Sequence, residues 1–241
     1  MIGMWFSFGP DTECLVESVG SFRKAFPESI ICICDDAKNP ITPDAVSHIK
    51  PDVYRERAWN SSGNLNGWSA VNGILQFQRE MQELYQGHTG AIKVDCDTMI
   101  IDDKWLNVDS PICGFSAGNH CLFTGMARYL RADVPDKILQ LLETRWLWKE
   151  AAVPEDITIG SYCMLLHGDQ CVSRNWNDGA MSYSYTDPQK NERICSVVNF
   201  GNRHNIKGVR DCDKRSIVGM SMAKYRKFLE STEQSSSLPD A

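Results

Sequence analysis

Along the first hundred residues the spacing of apolar positions switches back and forth between a strand period and a helix period. The mostly apolar run over 1–8 predicts a strand. After the turn at Gly9-Pro10, Leu15, Val16, Val19, Phe22 and Phe26 share one face of a helix with Asp11 or Thr12 as its N-cap. A second apolar run over 29–34 predicts a buried strand that ends at Asp35-Asp36. A proline-containing stretch over 39–51, with no element assigned, leads to a short strand over 53–59 and a Gly/Asn/Ser-rich loop over 60–67. The next helix covers 68–85, with Trp68, Val71, Leu75 and Leu84 near helical spacing, and feeds a strand that begins at Ala91. Strands alternating with helices in this way indicate an α/β fold with a largely parallel sheet.

The second half is less regular. A strand is expected over 112–116, a helix over 135–148, and a further helix opening at Pro154-Glu155-Asp156. This last helix carries Ile159, Tyr162, Cys163 and Leu166 at i, i+3, i+4, i+7 and stops at Gly168. The run over 187–193 reads as a solvated turn, 216–229 as an amphipathic helix and 231–241 as a polar tail. There is no internal repeat.

Composition narrows the function classes. The chain has 241 residues, 42% apolar and 23% charged, enough for one domain with a full core. Lys and Arg total 25 against 31 Asp and Glu, a formal charge of −6 without a basic run, which argues against broad nucleic-acid binding. No apolar stretch approaches the about 20 residues of a membrane span, and 1–8 lacks a signal-peptide pattern, so the expected compartment is the cytoplasm. The ten cysteines are scattered, two of them (Cys32, Cys34) inside a strand-like run, and read as reduced core residues rather than disulfide or zinc frameworks.

The chemistry concentrates at Lys93-Val94-Asp95-Cys96-Asp97-Thr98. If the strand continues through this segment, Asp95 and Asp97 point to the same side and repel unless a divalent cation or a shared proton relieves them. Paired carboxylates serve glycosidic acid/base work, shared-proton dyads, or cation binding through substrate phosphates. The first two draw their acids from separate strands or lobes, so adjacent ligands favour the third. An ordinary strand-end turn uses the same residues.

In its setting, after an amphipathic helix in a strand-first chain, this motif resembles that of the GT-A nucleotide-sugar glycosyltransferases. The Thr124-Gly125 segment, the following helix and Pro154-Glu155-Asp156-Ile157-Thr158-Ile159-Gly160 are similar in order and spacing to the β-1,3-galactosyltransferase and fringe-like family, a likeness covering roughly 91–168. The chain departs from those relatives in showing neither membrane anchor nor disulfide-bearing luminal pattern, and in a shorter glycine run at 124–125. The resemblance implies a GT-A fold over 1–230, with a nucleotide-sugar half over 1–104 and an acceptor half over 105–230.

It also implies roles. Asp97 and Asp95 would hold Mn²⁺ or Mg²⁺, with Asp95 alternatively on the donor ribose, and His204 would be a third ligand. Lys207 would neutralise diphosphate. Asp35 or Asp36, Ser7, Phe8 and Asn66 would contact the donor, expected to be a UDP-sugar; each also fits an ordinary turn, core or cap. Gly125, Glu155 and Trp146 would face a glycan or glycolipid acceptor, Trp146 as a sugar platform unless it packs in the core. Asp156 would be the general base of an inverting transfer, although an acid at a helix N-terminus also serves the helix dipole. Rival readings are a retaining transferase, a non-catalytic nucleotide-sugar or carbohydrate-binding module, and a metal-dependent phosphohydrolase. Lys224, Arg226 and Lys227 allow at most a peripheral contact with a membrane.

Overall fold

Six consecutive buried residues make β1 (Ile2–Ser7) a strand covered on both faces, as a central parallel strand requires. The computed structural model describes residues 1–9, 12–57, 67–100, 102–116, 127–144, 153–175, 182–186 and 193–199. After β1 come α1 (Thr12–Ala25), β2 (Ile30–Asp36), α2 (Pro43–Ile49), β3 (Val53–Arg57), α3 (Gly67–Leu84) and β4 (Gly90–Val94). Then follow β5 (Thr98–Ile100), β6 (Ile112–Ser116), β7 (Ala127–Arg131), α4 (Val134–Thr144), α5 (Glu155–His167), β8 (Val172–Asn175), β9 (Ser182–Thr186) and β10 (Arg193–Asn199).

Seven strands form the main sheet in the order β3-β2-β1-β4-β7-β6-β8. Only β7 runs against its neighbours, β4 and β6; the other pairs are parallel. A smaller antiparallel sheet has the order β5-β10-β9. The period-2 alternation of strand side chains divides the core into two layers. Ile2, Met4 and Phe6 join Val71, Ile74 and Phe77 of α3, Ile138 of α4 and Ile159 and Tyr162 of α5 on one face. Trp5, Ile31, Ile33 and Ile92 join Leu15, Val19 and Phe22 of α1 on the other.

The α/β class, the α1 face and the stop of α5 at Gly168, which has φ 51, agree with the sequence reading. Three elements depart from it. Residues 39–51 contain α2, begun by Thr42 accepting from the Ala45 amide (3.3 Å), with Pro43 in its first turn and Ala45 and Ile49 buried. The segment after Thr124, to which the sequence reading assigns no element, contains β7. The Asp-x-Asp motif is no strand: β4 ends at Val94, and the Thr98 amide donates to the Asp95 carbonyl (3.0 Å), closing a turn into β5. The alternation that would put both carboxylates on one strand face therefore does not apply.

That turn delivers the chain to the second sheet, where two α1 hydroxyls receive it. Ser18 Oγ accepts from Trp5 Nε1 (2.9 Å) and donates to the Thr98 carbonyl (2.5 Å), while Ser21 Oγ accepts from the Ile100 amide (3.1 Å).

Candidate functional site

The chain steps from β1 outward through β2 to β3 and then returns to pair β4 on the opposite side of β1. In an open α/β sheet the crevice at such a reversal, beyond the C-terminal strand ends, is where ligands bind. Its lips are Ser7, Phe8 and Gly9 after β1 and Asp95, Cys96 and Asp97 after β4. Cys96 Sγ donates to the Phe6 carbonyl (3.5 Å), tying one lip to the other. The Gly9 amide donates to the Asn39 carbonyl (2.6 Å), and a Cβ at Gly9 would lie 2.6 Å from Asn39 Oδ1, so this close approach needs a glycine.

Asp35, expected at the donor, is fully buried and already satisfied. Its carboxylate accepts from Ser7 Oγ (2.8 Å), the Ile41 amide (2.9 Å), Tyr54 Oη (2.6 Å) and the Asp36 amide (3.1 Å). It brackets β1, β2, β3 and the approach to α2, and it occupies the Ser7 hydroxyl's donor. Burial and this hydrogen bond push the Tyr54 hydroxyl well above its ordinary value. Asp36 differs: Oδ1 accepts from the Lys38 amide (3.0 Å), while Oδ2 is buried without a partner. An orphaned carboxylate oxygen at the end of β2 is the kind of acceptor that a ribose hydroxyl or a base N–H satisfies. Phe8 is buried at the end of β1.

Glu155, expected to touch an acceptor, is instead buried and paired twice. Lys93 Nζ lies 2.9 Å from its Oε1 and Arg128 Nη2 lies 2.7 Å from its Oε2. Lys93 also donates to Asp95 Oδ1. Lys93 and Arg128 are register partners on β4 and β7, with Gly114 of β6 next in the row, so both cations stand side by side on the sheet. Neither was singled out from sequence, although a Lys inside Gly-Ala-Ile-Lys-Val and an Arg at the start of Ala-Arg-Tyr-Leu-Arg are charges within buried strand patterns, which is itself a signal.

The electrostatics follow from this arrangement. Burial alone would push Glu155 up, but Arg128 and Lys93 hold it below the usual carboxylate range. Burial would likewise depress Lys93, and Asp95 and Glu155 raise it above its ordinary value. At Asp95 burial prevails over the pull of Lys93, so its carboxyl is raised, with Glu155 and Asp156 adding to the effect.

Lys93 thus supplies within the chain the positive charge that the Asp95/Asp97 pair demanded. Asp95 keeps a side chain 36% exposed, with Oδ1 engaged by Lys93, whereas Asp97 is 4% exposed. Among the described residues no three His, Cys, Asp or Glu side chains cluster as a metal site. The carboxylates of Asp95 and Asp97 are hard oxygen donors, of the type with which a cation that completes its shell with substrate phosphates and water would be held. Asp156 opens α5 beside this group, half-buried, with Oδ1 accepting from the Ile157 amide (2.8 Å). The remaining expected residues, Asn66, Gly125, Trp146, His204 and Lys207, lie outside the described residues, as do 216–229 and the tail.

No family model matches the chain, and no curated protein does. Among solved structures the chain is similar to the galactosyltransferase LgtC in complex with donor and acceptor sugar analogs, at 10% identity and TM-score 0.50, over 90% of this chain and 95% of that one. It also matches the glycosyltransferase GlyE of Streptococcus pneumoniae TIGR4 at 13% identity and TM-score 0.42, over 71% of this chain; it spans 44% of the length of GlyE. A glycosyltransferase involved in glycosylation of the major capsid of PBCV-1 matches at 8% identity and TM-score 0.46, over 72% of this chain and 82% of that one. At these identities the likeness is one of fold, and the LgtC match carries it: a mixed, mainly parallel, Rossmann-like sheet flanked by helices, of GT-A type.

Proposed function

We propose that this chain is a GT-A glycosyltransferase that moves a sugar from a nucleoside-diphosphate donor, expected to be a UDP-sugar, to a hydroxyl on a glycan or glycolipid acceptor. The observation that carries this reading is the shared position of three acids. Asp95 and Asp97 form the turn after β4 at the sheet's reversal crevice, and Asp156 opens α5 beside them. The galactosyltransferase of similar fold, which binds donor and acceptor sugar analogs, supports the same class.

In this reading the orphaned Oδ2 of Asp36 accepts from the nucleoside. Mn²⁺ or Mg²⁺ held by Asp95 and Asp97 would neutralise the departing diphosphate. Asp156 removes the proton from the acceptor hydroxyl as that oxygen attacks the anomeric carbon. The C–O bond to diphosphate breaks, and the configuration inverts. His204 as a third metal ligand, Lys207 on the diphosphate, and Gly125 and Trp146 on the acceptor side would complete the site; all four lie outside the described residues. Glu155, buried in its ion pairs, is not an acceptor contact. One observation favours a retaining transfer instead: Asp156 Oδ1 is engaged by its own helix at the Ile157 amide, which opposes its use as a base.

The experiment is a donor-turnover assay on purified protein with UDP-sugars and Mn²⁺. Asp97→Asn is expected to lose about 10²-fold or more in rate, as removal of a group acting on developing charge does. Full turnover by Asp97→Asn in the presence of a chelator would defeat the metal role. Asp156→Asn is expected to bind donor normally and lose transfer by about 10²–10⁴-fold. Unchanged turnover, or retention of anomeric configuration in the product by NMR, would select the retaining reading.

A further inference from the structure

The start of α5 has no side-chain cap: Pro154 stands at the N-cap and makes no side-chain hydrogen bond. Besides the Thr158 hydroxyl on the Pro154 carbonyl and the Gly67 amide on the Val153 carbonyl, this end is tied to the sheet by the Glu155 carboxylate, gripped by Arg128 of β7 and Lys93 of β4. A buried, paired carboxylate is a weak source of net stability, because desolvating the ions offsets much of their attraction. It is a strong source of position, because Glu155 cannot move without leaving two buried cations exposed to each other.

Lys93, itself buried, is the member that also reaches a partly exposed carboxylate. Its ammonium lies between a buried carboxylate, Glu155, and an open one, Asp95. These two carboxylates belong to opposite sides of the site: Asp95 to the turn after β4, Glu155 to the helix that presents Asp156. We propose that Lys93 is a positioning residue that couples the two sides. It shares its charge between Asp95 and Glu155 until a divalent cation with a nucleoside diphosphate arrives at Asp95, and then shifts toward Glu155 and tightens the start of α5.

The physical reason is competition. With a divalent cation held by Asp95, the neighbouring Lys93 ammonium would be repelled, and its charge would shift toward Glu155. The first turn of α5 gains the interaction that Asp95 gives up, and Asp156 is held more firmly after the donor is bound than before. Coupling of this kind is reciprocal, and it exists only while Lys93 links the two carboxylates: in a chain that keeps Lys93, a change that frees its charge from Glu155 returns it to Asp95 and weakens the hold on the donor.

This proposal rests on the reading that Mn²⁺ and UDP bind at Asp95. Its test is amide deuterium exchange on the full chain, read at Thr158 to Tyr162, with and without Mn²⁺ plus UDP, alongside calorimetric binding of the same pair. The wild-type chain is expected to bind and to slow its α5 exchange by about threefold or more. Lys93→Met is expected to bind Mn²⁺–UDP at least as tightly, since no ammonium competes for Asp95, while its α5 exchange no longer responds. Glu155→Gln, which keeps the shape and removes the charge, is expected to lose the response as well, and it stands in if Lys93→Met does not fold. Binding by the wild type without any change in α5 exchange overturns this proposal alone. So does a full response in a folded Lys93→Met. Failure of the wild type to bind Mn²⁺–UDP at all overturns the donor reading, and the coupling with it.

Discussion

Glu155 shows most clearly how one residue's surroundings decide its role. Its carboxyl is held below the ordinary value of 4.5, so its ionised form is favoured in the folded chain. A depressed carboxyl stabilises the fold above its unfolded-state value and loses that contribution as pH falls through the folded-state value. Glu155→Gln is therefore expected to cost about 3–5 kcal/mol at pH 7, the usual loss when one partner of a buried pair is removed. The stability gap between variant and wild type should begin to narrow as pH falls below 4.5, where the unfolded chain takes up the proton, and should close as pH falls through the lower folded-state value. Urea unfolding of both proteins at pH 7 and in steps below pH 4.5 measures this; a gap that stays constant across that range would show that the charge of Glu155 is not what matters. Asp95, raised rather than lowered, has the opposite sign, and because Glu155 adds to that rise the substitution relieves part of it. Sequence reasoning singled out Asp95, Asp97, Asp35, Asp36 and Asp156 as candidates because acids at element ends announce themselves. It misassigned Glu155 and passed over Lys93 and Arg128, because a carboxylate is visible in a string of letters and its counter-ion is not. The partners here come from 62 and 27 residues away.

Among the elements, β7 determines where those cations meet. It is the single reversed strand of the main sheet, and its pairing with β4 puts Arg128 opposite Lys93. That pairing is close at Gly90, where an added Cβ would meet the Leu130 carbonyl and lie 2.7 Å from Tyr129 Oη. Gly90→Ala should cost about 1–3 kcal/mol, as overpacking of a tight interior does, and it should also disturb the Lys93–Arg128 row. A denaturation midpoint indistinguishable from wild type would mean that β4 and β7 can separate there without strain. Nothing in the local pattern forecasts a reversed strand, since Ala-Arg-Tyr-Leu-Arg carries no sign of its direction. By contrast α2 was within reach. Thr42-Pro43-Asp44 is a helix start, and Ile41, Ala45 and Ile49 repeat at helical spacing, but the prolines drew attention away.

At the scale of the molecule, the alternation of strand and helix in the first hundred residues was enough to anticipate a largely parallel sheet, while the crevice at its reversal follows from the strand order. The order of the later strands was not anticipated, because β6, β7 and β8 are joined by longer connections whose direction depends on packing. The whole chain should respond to a donor as a unit. A ligand bound only by the folded state at a hundredfold over its Kd adds about 2.7 kcal/mol, which for a chain of this size is roughly 5–10 °C in Tm. Thermal melts with UDP should shift by this order in Mn²⁺ and much less in chelator; equal shifts in both would speak for binding without a cation. No helix among the described residues is long and apolar enough to cross a membrane.

The same chain-wide view gives a meaning to Ser18 and Ser21. As an outer strand of the small sheet, β5 has one side on β10 and would otherwise leave its other row of backbone groups free. Such a row is a template on which a second polypeptide can add a strand, the first step toward aggregation. Here the Thr98 carbonyl and the Ile100 amide are taken by hydroxyls of α1. Two serines on a helix thereby close an edge to intruding strands, and they do so just beyond the turn that carries Asp95 and Asp97.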